Sequence, residues 1–91
     1  MRVAYKFFSG MLLATPGVLN EVPEPEITEA LNRHLTGDWG DVCKEDWKMN
    51  DYAVENRERI LSSFTSKENV KFWIITESDR SATTVLLPSE Y

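Results

Sequence analysis

The sequence predicts an α+β fold: an antiparallel sheet of three to five strands packed against two helices. Three observations predict it. The last third of the chain groups its apolar residues like a three-stranded meander. The middle third carries two stretches with helical spacing. The composition, 42% hydrophobic and 27% charged over 91 residues, suits one globular domain spanning residues 1–91. A domain of this size buries roughly 60–65% of its unfolded surface, so its expected stability is modest.

The meander is the strongest signal. Arg59–Thr65 alternates, with Ile60, Ser62 and Phe64 on one face and Leu61, Ser63 and Thr65 on the other. Ser66-Lys67-Glu68-Asn69 is a turn in which Asn69 tolerates positive φ. Val70–Thr76 (VKFWIIT) is apolar on both faces, as in a central strand. Glu77–Ser81 is a second polar break. Ala82–Leu87 is the third strand, stopped by Pro88, which has no N–H to donate. The short connections imply antiparallel neighbours.

Upstream, Val3–Phe8 and Met11–Ala14 both have strand composition. Ser9-Gly10 between them leaves a hairpin and a single bent strand open, and one strand here is expected to join the sheet. Thr15-Pro16-Gly17 reads as the start of a short helix capped by Thr15. Glu26–Thr36 is helical, with Ile27, Ala30, Leu31 and Leu35 as its apolar stripe and Gly37 as its stop. His34 lies beside Leu31 on or near the buried edge, and is expected as a helix-end residue interacting with the carbonyl end. Asp41 is the expected N-cap of a second helix, Val42 to about Glu55. On it, Val42, Met49 and Ala53 share a face with Asp46, with Cys43, Trp47, Asn50 and Val54 beside them. Asp46 and Asn50 are polar where the pattern calls for core.

Charge and cysteine content narrow the function. The net charge is −5. Residues 1–45 hold four basic and seven acidic groups (4 − 7 = −3), and residues 46–91 hold six and eight (6 − 8 = −2). Neither half offers the basic stripe that phosphate-backbone binding requires, so no direct nucleic-acid contact is expected. Cys43 is the lone cysteine, which fits a reducing, cytoplasmic setting. One cysteine and one histidine do not make a structural zinc site, and no metal or other cofactor is expected. No membrane-length apolar segment and no signal peptide is read at residues 1–15. An open sheet edge at Val3–Phe8 or Ala82–Leu87 invites a second copy, so the chain is read as monomer or homodimer.

Three polar groups are candidates to converge: Asp38 and Asp41, Asp46 and Asn50, and Glu77, Asp79 and Arg80. A carboxylate cluster holding Mg²⁺ is the catalytic reading, and a small metal-dependent hydrolase is the least favoured function. The structural reading pairs Arg80 with Asp38 or Asp41 and makes Trp39 a plug whose indole N–H needs an acceptor. Trp39 and Trp73 are assigned to the core. Trp47 is the candidate hot spot, if it lies on the outer edge of its helix, of a partner-binding surface formed with Asp38, Asp41, Asp46, Glu77 and Asp79.

Two long motifs carry a resemblance: Arg33-His34-Leu35-Thr36-Gly37-Asp38-Trp39-Gly40-Asp41 and Trp73-Ile74-Ile75-Thr76-Glu77-Ser78-Asp79-Arg80-Ser81-Ala82-Thr83-Thr84-Val85-Leu86-Leu87-Pro88. With Leu13–Gly17, Glu45-Asp46, Asn50 and Arg59–Ser62, they resemble small bacterial proteins of plasmids, prophages and other mobile elements. Those proteins are often labelled "plasmid-related protein" or "type I restriction endonuclease subunit". The resemblance runs from about Leu12 onward. It departs at Val22-Pro23-Glu24-Pro25, where the similar proteins continue as helix. It implies a non-enzymatic accessory protein that inhibits host defence, anti-CRISPR or anti-restriction, by covering a nuclease complex with an acidic and aromatic surface. A plasmid maintenance or regulatory adaptor is the alternative.

Overall fold

The computed structural model describes residues 5–91. Strand β1 (Met11–Ala14) leads into helix α1 (Pro16–Glu21). Helices α2 (Glu24–Leu35) and α3 (Lys44–Asn56) follow. Strands β2 (Ile60–Thr65), β3 (Lys71–Thr76) and β4 (Ala82–Leu86) then precede a 3₁₀ turn at Pro88–Glu90. The strands form one sheet in the order β1-β4-β3-β2, so the fold is α+β.

The meander forms as the alternation predicts. Ile60 lies opposite Thr76, Ser62 opposite Ile74 and Phe64 opposite Phe72, and Ile74 lies opposite Val85. Asn69 turns the β2–β3 corner at φ 67°. The N-terminal strand joins as expected, but parallel to β4 rather than antiparallel, with Met11 beside Ala82 and Ala14 beside Val85. The sheet is therefore mixed. Gly10, at φ +65°, approaches the Arg80–Ser81 backbone so closely that a Cβ would collide with it. This close approach starts β1 at the same end as β4, and Met11 N–H donates to Ser81 O at 3.0 Å. Ala82–Leu86 is consequently an interior strand, not an open edge.

Of the expected Val3–Phe8 strand, Val3 and Ala4 lie outside the described residues. Tyr5–Phe8 is loop, not strand. Phe7 draws it over the core, stacking on Trp39 at 6.2 Å and meeting the His34 ring edge-on at 5.5 Å.

Local chemistry sets the helix ends. Thr15 caps α1, its hydroxyl accepting Val18 N–H. Gly37, at φ +91°, ends α2 in a Schellman arrangement: Asp38 N–H donates to Arg33 O at 2.8 Å and Gly37 N–H to His34 O at 3.2 Å. Helix α3 begins at Lys44, after Cys43, so Asp41 is not its cap. Asp41 is held elsewhere: its N–H donates to Ser63 O and its carboxylate accepts the Thr65 hydroxyl at 3.0 Å.

One sheet face receives the helices. At one end Val18, Val22, Ile27 and Ala30 pack on Phe64, Phe72, Ile74 and Val85. At the other end Trp39 and Ala53 pack on Ile60. His34 sits between them in the last turn of α2, fully buried as its place beside Leu31 implied, but its ring bonds side chains of the sheet and not the carbonyl end of the helix. Its Nδ1 lies 2.5 Å from Ser62 Oγ and its Nε2 2.8 Å from Thr76 Oγ1. Thr76 in turn meets Thr83 at 2.8 Å, and Thr83 donates to the Ser9 carbonyl. That carbonyl only accepts, so every proton in the row is fixed. Ser62 donates to Nδ1, Nε2–H donates to Thr76, and Thr76 donates to Thr83. His34 is neutral, and burial holds its pKa down at about 3.

Candidate binding groove

Asn50 positions α3. Its side-chain amide donates to Leu61 O at 2.8 Å and accepts Leu61 N–H at 3.3 Å, replacing a neighbouring strand along the free side of β2. The same edge is closed further on, where Ser63 N–H donates to Trp39 O and Gly40 forms a β-bridge to Ser63. With Asn50, Ala53, Trp47 and Val54 turned inward, Met49 is turned outward and is 66% exposed. This corrects the placement of Met49 on the buried stripe.

Between α3 and β2 this leaves a groove of about 290 Å³, lined by Asp46, Met49, Asn50, Ala53, Glu58, Arg59 and Leu61. Arg59 Nε lies 3.7 Å from Glu77 Oε1. Its Nη1 donates to the Tyr91 hydroxyl at 2.6 Å, and its guanidinium lies 5.1 Å above the Tyr91 ring. Tyr91 meets Trp73 edge-on at 5.8 Å. Trp73 is therefore half-buried in an aromatic cover on the sheet face opposite the helices, not in the core beneath them. Ile75 and Leu86 are buried on that face.

The predicted acids divide. Asp46 lines the groove, and Glu77 reaches it through Arg59. Asp79 is exposed in the β3–β4 turn, where it accepts Ser81 N–H at 2.9 Å, and hydrogen bonding from Ser81 holds its carboxyl below the usual range. Asp38 and Asp41 are not brought to this cluster. Asp38 pairs with Arg33 at 2.8 Å and accepts Gly40 N–H at 3.0 Å, and the Arg33 bond lowers its pKa. The partners of these two acids, Arg33 and Thr65, line a separate groove of about 260 Å³ with Glu26, Glu29, Phe64 and Lys67.

Arg80 pairs with neither aspartate. It is 4% exposed, at φ 61°. It donates to Ala53 O at 2.9 Å, Glu58 O at 2.7 Å and Glu77 O at 3.2 Å. Arg57, in the left-handed conformation, ends α3; its N–H and that of Glu58 turn back to Ala53 O, and the guanidinium adds to that carbonyl and takes the Glu58 carbonyl beyond the helix. Trp39 is the expected plug, fully buried, and its indole N–H donates to Asp51 at 2.9 Å. Trp47 is half-buried against this Trp39–Ala53–Ile60 cluster. The exposed large residues of α3 are instead Met49 and Tyr52.

Sequence reasoning missed Met49, Tyr52, Arg59 and Tyr91. Taking Asn50 as the centre of the inward face finds the first two, because residues one and two positions away then turn toward solvent. Arg59 and Tyr91 meet only through the fold.

Ser62 and His34 form a serine–histidine contact, but both are fully buried and the other ring nitrogen faces a threonine hydroxyl. Among the described residues, no three His, Cys, Asp or Glu side chains gather with metal-binding geometry, and no helix is long and apolar enough to cross a membrane. Comparison with protein-family models, with curated proteins and with solved structures gave no match.

Proposed function

We propose that this chain is a non-enzymatic binding protein whose α3–β2 groove takes a basic segment of a protein partner. The observation that carries the reading is the groove itself. It combines a part-apolar floor at Leu61 and Ala53, acids at Asp46 and Glu58, Arg59 paired with Glu77 and the Tyr91 hydroxyl, and exposed Met49. Aromatic and methionine anchors beside charges suit recognition of a protein surface. The resemblance to mobile-element proteins directs the partner class to a nuclease complex of host defence, a CRISPR effector or a restriction enzyme, in the cytoplasm. Acidic rims speed encounter with basic nucleic-acid-binding surfaces.

The test is a cleavage assay with purified effectors titrated by this protein. Inhibition should saturate near one equivalent. Asp46→Lys combined with Met49→Ala should weaken it about 30-fold, the effect of a ~2 kcal/mol hot spot, while Asp38→Asn leaves it unchanged. Catalytic, substoichiometric inhibition, or equal potency of the groove variant, would sink this reading. An absence of inhibition alongside tight binding to an element-encoded protein would favour the maintenance adaptor.

A further inference from the structure

The two edges of the sheet are finished differently. The β2 edge is closed by Asn50 and by the Trp39–Asp41 backbone. The β1 edge carries no such cover among the described residues. Met11 and Thr15 donate their N–H groups to Ser81 and Val85. Odd-numbered residues therefore face β4, and Leu12 and Ala14 direct their N–H and C=O groups outward. The strand lacks the usual protections, having no charge, no proline and no bulge in its register. Its side chains are exposed on both faces, Met11 at 65%, Leu12 at 53% and Leu13 at 44%.

The surrounding sequence narrows what covers this edge. From Phe7 to Asn20 there is no charged side chain, in a chain that is 27% charged. A basic or acidic partner finds no complement here. A second copy, by contrast, meets an apolar and uncharged strand like its own, and the Glu90 carboxylate just past the strand is already held by Thr15 and Gly17, although each copy carries −5 overall. We infer that β1 pairs antiparallel with β1 of a second copy. Leu12 would lie opposite Ala14 of the other copy in hydrogen-bonded pairs, and Leu13 would meet its equivalent on the twofold axis. The result is one continuous eight-stranded sheet with four new backbone hydrogen bonds. The pairing is isologous, so it closes at two copies. A four-residue seam falls at the low end of interface sizes, so the dimer dissociates on dilution. The inference does not depend on the groove's function.

The experiment is sedimentation equilibrium of the full chain from about 1 to 500 µM, the range in which so small an interface associates. The mass should rise with concentration toward twice the 10.5 kDa of one chain. Leu13→Lys places two ammonium groups at the axis and should weaken association at least tenfold, with far-UV circular dichroism unchanged, and melting temperature unchanged at concentrations where the chain is monomeric, because the site is exposed. In a Cys43→Ser background, Leu13→Cys should cross-link on oxidation, since non-hydrogen-bonded antiparallel pairs bring Cβ atoms to about 4.5–5.5 Å. A mass of one chain at every concentration overturns the inference and leaves the edge to a different protein's strand. A dimer that ignores Leu13→Lys, or a Leu13→Cys protein that does not cross-link, overturns it too, because the contact then lies elsewhere.

Discussion

The helix-covered face of the sheet is built in two halves by opposite means. Around Val18, Ile27, Phe72 and Val85 the contacts are apolar and non-directional. Around Trp39 the core contains His34, Thr76, Thr83 and Arg80, all buried and all hydrogen-bonded. Among the described residues no buried side-chain polar atom lacks a partner. An apolar half loses stability in proportion to the atoms removed. A polar half holds together as linked donors and acceptors, so removing one leaves its neighbour buried and unpaired.

Arg80→Met is the strongest way to break the contrast. It keeps the volume but leaves Glu58 O without its donor, while Ala53 O keeps its bonds from the Arg57 and Glu58 N–H groups and loses only the charged one. The expected loss is about 3 kcal/mol, from one orphaned acceptor at ~1–3 kcal/mol and one lost charged hydrogen bond at ~1.5–3 kcal/mol, measured by urea unfolding.

The next test uses pH. The folded state holds His34 near pKa 3, below the ordinary histidine value of 6.5. Between those values the unfolded chain binds a proton that the folded chain refuses. Stability is therefore full above about pH 6.5 and falls as pH drops, by about 1.4 kcal/mol per unit. The loss from pH 6.5 to 4.5 is about 2.5 kcal/mol, and it should flatten in His34→Gln, which does not titrate. An equal slope in both proteins would show that the charge is carried elsewhere.

Val18→Ala probes the apolar half. Removing two methyl groups from a fully buried site should cost about 2 kcal/mol. That cost should be independent of pH, which separates this half from the one around His34.

The apolar contacts were legible because period-two and period-3.6 spacing report directly on burial: Ile60 and Phe64 share the helix-covered face as their alternation says, and Ile27, Ala30 and Leu35 are buried as their stripe says. The polar half was legible only as a set of odd residues. Asn50 stood out on its helix, but no spacing indicates that an amide side chain will stand in for a strand. Arg80 was expected to seek an aspartate. Coulomb attraction favours that, but Asp38 was nearer to Arg33 in sequence and the ends of α3 offered carbonyls. The candidate groove was half legible. Asp46 and Glu77 were named from composition, while Arg59 and Tyr91, 32 residues apart, meet only once the sheet is formed. The parallel sense of β1 had no sequence signal, because Gly10 specifies a close approach but not its direction.

That pairing orders the assembly of the molecule in time. The first strand has its partner in the last one, Met11 beside Ala82. Thr15 and Gly17, at the start of α1, are held by the carboxylate of Glu90. During synthesis Met11, Leu12 and Leu13 therefore leave the ribosome long before anything exists for them to pair with. Closing so long a loop is deferred to the end. The growing chain carries an unpaired apolar strand until β4 is made, so the sheet closes on its β1 side only after β4 has been synthesised.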